Sequence, residues 1–183
     1  MCNLCKTKPV YEFINQRRVC KTCFIHWFEK KVLYTIRKFK MIKHGDVIGY
    51  EDKEDYRQVV LKEILKMISK KGYVEIMKMP TKKKVTKIAM SNTTDIESKK
   101  IIYELIKGKS KNLENVKSVN KKNIKPLYLF LDKEVLLYAK LKNLKFSKVK
   151  KEDANKINKF VNDLETKHPE IKWAIVKGFL EVE

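Results

Sequence analysis

No apolar run in this 183-residue chain approaches the roughly 18 residues that a membrane span needs, which excludes an integral helical membrane protein. The opening Met1-Cys2-Asn3-Leu4-Cys5 has no apolar stretch of the secretory kind, so residence in the cytoplasm is the expectation. Cysteine is missing beyond Cys23, which leaves no thiolate nucleophile in the rest of the chain. Arginine is scarce: of 43 basic residues only Arg17, Arg18, Arg37 and Arg57 carry a guanidinium. Lysine meets phosphate as a point charge rather than as a bidentate fork, so nucleic-acid recognition would be led by shape and sensitive to salt. The histidines His26, His44 and His168 are scattered, and no Ser/His/Asp arrangement emerges. His26 reads as a surface or RNA-facing side chain.

What the chain does have is enough apolar material for a core, 43% of its residues, and a large positive excess. With 43 Lys+Arg against 22 Asp+Glu, the formal net charge is +21. Such a charge attracts polyanions, nucleic acid first and an acidic protein or anionic membrane surface second. A lysine-rich composition is also what an A/T-rich genome or a hot habitat produces. The length suits one domain with a small appended module.

All four cysteines fall in two knuckles, Cys2-x-x-Cys5 and Cys20-x-x-Cys23. Two-residue spacing lets both sulfurs of a knuckle reach one ion, and two knuckles complete a tetrahedron. The segment between them reads as a hairpin, with Val10–Phe13 and Arg17–Val19 as strands and a turn near Asn15-Gln16. Structural zinc is the expected occupant, and an iron–sulfur centre on the same thiolates is the alternative. Two disulfides do not suit a cytosolic chain.

Beyond Cys23, Phe24, Phe28, Val32, Ile36 and Phe39 form the apolar stripe of a helix, with Lys30, Lys31, Arg37, Lys38 and Lys40 mostly elsewhere on the cylinder. A strand at Val47–Tyr50 follows. The acidic stretch Glu51–Asp55 reads as a solvated start to a helix over about Glu54–Lys71, with Gly72 as its stop. Strands are expected at Tyr73–Met79, Val85–Met90 and Leu127–Leu131. Helices are expected over about Asp95–Lys107, from an Asp132 cap to Leu141, over Glu152–Lys167, and over Ile171–Leu180. Lys109–Lys122 reads as a mobile loop. The alternation predicts an α/β fold with a parallel sheet.

These motifs resemble the tRNA 2-thiouridine synthetase family, the cytoplasmic and archaeal tRNA 2-thiolation proteins. The likeness rests on the two knuckles with Phe24, on Phe28-Glu29-Lys30-Lys31-Val32 and Ile36-Arg37-Lys38-Phe39, and on Gly45-Asp46. Asn92 to Ile106 with Gly108, Ile124-Lys125-Pro126-Leu127, Lys133-Glu134-Val135 with Tyr138-Ala139, and Leu164-Glu165-x-Lys167-His168-Pro169-x-Ile171-Lys172 with Gly178-Phe179 extend it. The resemblance implies a four-cysteine zinc finger over 1–23, a linking helix over 24–44, and a reduced PP-loop ATPase-type α/β domain over 45–183. It also implies descent from adenylating enzymes. Their phosphate loop, Ser-Gly-Gly-Lys-Asp-Ser, is replaced here by Tyr50-Glu51-Asp52-Lys53-Glu54-Asp55, which puts carboxylates where an anion would lie. The family's catalytic-domain cysteines and second zinc finger are absent.

The sequence therefore predicts a non-catalytic relative that binds tRNA or rRNA through Arg17, Arg18, Lys30, Lys31, Arg37, Lys38 and Lys40, with Arg17 and Arg18 clamping a phosphate backbone. The alternative is a protein-interaction subunit that pairs with a thiolation enzyme or a sulfur-carrier protein; a residual tRNA-modifying enzyme comes third. No membrane partner and no small-molecule substrate are expected.

Overall fold

The computed structural model describes residues 1–147 and 156–181. A two-stranded antiparallel hairpin comes first, β1 (Tyr11–Glu12) and β2 (Arg18–Val19), with Tyr11 paired to Val19. Gln16 turns the hairpin with a positive φ of 62°, and its N–H bonds back to the Phe13 carbonyl. Helix α1 (Lys21–Lys38) follows at once, started by Cys20 in extended conformation and ended by the cations Arg37 and Lys38, which suit the negative end of its dipole. Its stripe of Phe24, Phe28, Val32 and Ile36 is buried.

The main sheet has five strands in the order β4-β3-β5-β7-β6. Strands β3 (Val47–Glu51), β4 (Glu75–Met79), β5 (Lys87–Ala89) and β7 (Asn123–Ile124) run parallel, and β6 (Val119–Asn120) closes the edge antiparallel to β7. The expected α/β class and parallel sheet are present. Gly49 is required at the middle of β3, because a Cβ there would lie 2.9 Å from the Met79 sulfur. Helix α2 (Tyr56–Ser69) crosses between β3 and β4, and Gly72 ends it at a positive φ of 74°. Helices α3 (Thr94–Ile106), α4 (Asp132–Leu141), α5 (Lys156–Lys167) and α6 (Ile171–Glu181) complete the described chain. The expected start of α5 at Glu152 lies outside the described residues.

Three expectations are corrected. Leu127–Leu131 is not a strand but a chain of turns, in which Tyr128 N–H bonds to Lys125 O and Phe130 N–H to Leu127 O, both at 3.0 Å. The run is apolar because the whole segment is buried, and burial alone does not tell a strand from a buried turn. The strand entering it is the two-residue β7, which is too short to show periodicity. Lys109–Lys122 is structured, holding a 3-10 helix (Ser110–Val116) and then β6. Asp132 is not the cap of α4 but its first residue; Leu131 is the cap, and the Glu134 carboxylate accepts its N–H at 2.9 Å.

One core cluster runs from Cys2 and Val19 through α1 to Tyr138 and Ala139. Phe28 is its hinge piece: its ring stacks on Tyr138 with centroids 4.2 Å apart and meets Phe130 at 4.3 Å. Those contacts fasten α1 to α4, and the cysteine module rides on α1.

Candidate metal centre and nucleic-acid interface

The β1–β2 hairpin brings the two knuckles together. Val10 N–H bonds to Val19 O, Asn3 N–H to Arg18 O, and the Asn3 side chain accepts the Arg18 N–H at 2.7 Å. The sulfurs of Cys2, Cys5, Cys20 and Cys23 consequently all lie within 4.8 Å of one another, with Cys5 to Cys20 at 3.4 Å and Cys5 to Cys23 at 3.7 Å. Four thiolates at about 2.3 Å from a tetrahedral ion would stand about 3.8 Å apart, so this donor set fits one metal ion.

The cationic residues predicted to meet RNA separate into three groups. Lys30, Arg37, Lys38 and Lys40 are exposed. His26, Lys30, Tyr34 and Lys38 follow one another at four-residue spacing on α1, so they share its outward face, with Arg37 beside them. Lys31 does not join them. Its side chain is only 17% exposed and its ammonium sits over Trp27, Phe130 and Trp173 at 4.8, 4.5 and 4.8 Å from the ring centroids, 3.7 Å from the Glu134 carboxylate. Burial holds Lys31 below the ordinary lysine value against the pull of Glu134, and burial pushes Glu134 above the carboxylate range. Arg17 and Arg18 are each engaged with a different neighbour. The Arg17 guanidinium lies over the Phe13 ring at 4.5 Å, whereas Arg18 pairs with Glu12 at 2.9 Å.

Sequence reasoning missed Trp27, Tyr34 and Trp173. Tyr34 had a signal, since it falls one turn from both Lys30 and Lys38. Trp173 had none, because it arrives from the far end of the chain.

At the C-terminal ends of the parallel strands the side chains satisfy one another. Asp55 caps α2 by accepting the Arg57 N–H at 2.9 Å, and Asp52 pairs with Lys62 at 2.7 Å and Lys78 at 3.1 Å. Arg57 meets Asp132 through two bonds, of 2.8 and 2.5 Å, and Thr93 donates to the same carboxylate at 2.7 Å. Burial alone would raise Asp132; the bonds from Arg57 and Thr93 overcome it and hold the carboxyl below its usual range. Asp95 accepts the Asp132 N–H at 2.7 Å and the Lys172 ammonium at 2.6 Å. Burial and the Asp132 charge push Asp95 upward despite Lys172. Deeper in, Lys125 pairs with Glu97 at 3.1 Å and donates to the carbonyls of Asn115 and Val116, while Asn92 donates to Glu97.

The architecture defines a class of protein: a four-cysteine module able to hold a metal, joined by a helix to a small, mostly parallel α/β sheet. No protein-family pattern and no curated protein matches the chain by sequence. Among solved structures it is similar to the U34-tRNA thiolase NcsA from Methanococcus maripaludis, described with its [4Fe-4S] cluster. The TM-score is 0.78 at 19% identity, and the match covers 99% of this chain and 86% of that one. At that identity the likeness shows the fold. No helix among the described residues is long and apolar enough to cross a membrane.

Proposed function

We infer that this protein is a non-catalytic, zinc-stabilised RNA-binding relative of the tRNA thiolation enzymes, with tRNA as its first partner and rRNA as the alternative. The observation that carries the reading is the outward face of α1, where Lys30, Arg37 and Lys38 line up beside an exposed tyrosine. Cations alternating with aromatic rings suit a nucleic-acid strand, and the thiolase fold supplies the context.

Two observations support the loss of catalysis. The turn after β3 carries Glu51, Asp52, Glu54 and Asp55 where an anion cradle would need backbone N–H groups, and the α2 N-terminus is already capped by Asp55. All the cysteines belong to the knuckles, so no free thiolate is left to carry sulfur. Zinc is favoured over a [4Fe-4S] cluster by sulfur spacing. A cubane takes one thiolate on each of four irons and spreads them wider than the 3.4–3.7 Å seen from Cys5 to Cys20 and Cys23. Four thiolates would fill the zinc coordination sphere and give it a structural role.

The test is fluorescence anisotropy with labelled tRNA at rising salt, beside metal analysis of the purified protein and a pyrophosphate-release assay with ATP. Expected are tRNA binding that weakens steeply with salt, about one zinc per chain, and no pyrophosphate. Stoichiometric recovery with a thiolation enzyme or sulfur carrier, and no RNA, would favour the subunit reading instead.

A further inference from the structure

Both tryptophans of the chain flank one lysine. Trp27 comes from α1 and Trp173 from α6, and the Lys31 ammonium lies 4.8 Å from each ring centroid. A cavity of about 580 Å³ opens on one side, with Arg17, His26, Trp27, Lys30, Lys31 and Tyr34 in its wall. A second, of about 470 Å³, opens between the hairpin, α1 and α6. Arg17, Trp27 and Lys31 line both, so the two form one cleft that divides at the indole.

The chemistry of the first cavity is uneven in an informative way. No Asp or Glu lines it, whereas Arg17, Lys30 and Lys31 do, beside Cys23 at the edge of the knuckle cluster. The one carboxylate in the second, Glu134, is already held by the Leu131 N–H at 2.9 Å and by Lys31 at 3.7 Å. The cleft is therefore complementary to an anion. Phosphate contacts alone need no apolar wall, yet Tyr34 is 51% exposed here and Trp27 lines the same cavity two turns away on α1. An aromatic wall with cations at its rim matches a nucleotide, whose base offers a π-face and whose phosphate offers charge. The volume lies within the range of about 300–1,000 Å³ usual for small-ligand pockets.

We propose that this cleft takes one unpaired nucleobase of a bound RNA strand, stacked against Trp27 and Tyr34, with the adjoining phosphate at Arg17 and Lys30. The proposal rests on the RNA-binding reading and narrows it to looped or single-stranded RNA. A paired base keeps its faces inside the helical stack and presents none to the indole. Lys31, caged beneath the rings, holds a positive charge against the indole and does not reach for phosphate.

The metal-loaded full chain is titrated with three probes: a ten-nucleotide oligoadenylate, an abasic ribose-phosphate decamer of equal charge, and decaglutamate. Tryptophan emission and affinity are both followed. Oligoadenylate is expected to quench the emission saturably and to bind about tenfold more tightly than the abasic strand. Tyr34→Ala, at an exposed position outside the core, is expected to remove most of that difference while leaving the abasic affinity and the circular dichroism unchanged. Equal affinities for the two strands, without quenching, would overturn the base slot and leave phosphate binding standing. Binding of neither strand would overturn both. Saturable binding of decaglutamate with the same quenching would make the cleft a protein interface and overturn the nucleotide assignment.

Discussion

At the scale of single residues, Lys31 shows how a charge in a sequence can change meaning once folded. Its neighbours Lys30 and Arg37 are solvated, but Lys31 spends its charge on three rings and one carboxylate. The pair with Glu134 is asymmetric. Glu134 also accepts the Leu131 N–H and, at 3.4 Å, the Tyr11 hydroxyl, so it ties the hairpin to α4. Glu134→Ala strands a charge in an apolar cage and frees a helix cap, and is expected to cost about 3 kcal/mol. Lys31→Met keeps the packing and leaves Glu134 two partners, for a cost of about 1 kcal/mol. Urea denaturation of both variants checks the order. Lowering the pH should reduce the Lys31→Met penalty, because the carboxyl already sits above its ordinary value and accepts a proton readily. Equal penalties for the two variants would contradict the asymmetry.

Asp132 titrates in the other sense. Its folded value is depressed below the ordinary 3.8 by Arg57 and Thr93, against burial. The unfolded chain therefore takes up the proton first, so the stabilisation is present above about pH 3.8 and is lost as pH falls through the folded value. Asp132→Asn is expected to flatten that acid limb of the stability profile, and to lower stability at pH 7 by about 3 kcal/mol because Arg57 loses a bidentate partner. Thermal melts from about pH 2 to pH 7, a range that extends below the usual carboxylate values, read both effects.

At the scale of elements, the cysteine module and α1 were legible because their signals are local. Knuckle spacing, hairpin length and a four-residue apolar period need no knowledge of the rest of the chain. Lys109–Lys122 was not legible, because a lysine just beyond it orders it from inside the core. Lys125, 2% exposed, donates to the carbonyls of Asn115 and Val116 and pairs with Glu97. A polar sequence held by a buried cation cannot be told from a solvated loop by composition. The site divides in the same way: the metal ligands follow from spacing alone, whereas the cleft needs Trp173, delivered by α6. Metal removal tests how far this local order depends on its staple. A hairpin with two-residue strands has little core of its own, and metal binding can supply on the order of 10 kcal/mol to such a module. Chelation is expected to unfold residues 1–20 and fray the first turn of α1, while β3, β4 and β5 keep their amide protection in hydrogen exchange. Retention of hairpin protection after complete metal loss would show that the contacts of Tyr11 and Phe13 with Phe24 and Trp27 suffice.

At the scale of the whole molecule, a net charge of +21 draws any polyanion, so salt-dependent RNA binding alone does not locate the interface. Location is decided by comparing variants of equal charge. Replacing Lys30, Arg37, Lys38 and Lys40 with Ala removes four exposed cations at α1 and its C-terminal end. Replacing Lys70, Lys71, Lys82 and Lys84 removes four exposed cations from the end of α2 and the β4–β5 connection. The long-range attraction falls equally in both. Counterion release differs, because only cations that touch phosphate contribute about 0.7–0.9 each to the slope of log affinity against log salt. The α1 variant is expected to lose about 3 from that slope and the other variant less than about 1. Between roughly 50 and 200 mM salt, the α1 variant should therefore fall furthest below the parent protein at the low end, and the gap should narrow by about 60-fold at the high end. Parallel slopes for the two variants would mean that the charge acts as a diffuse field and that α1 has no special share in holding RNA.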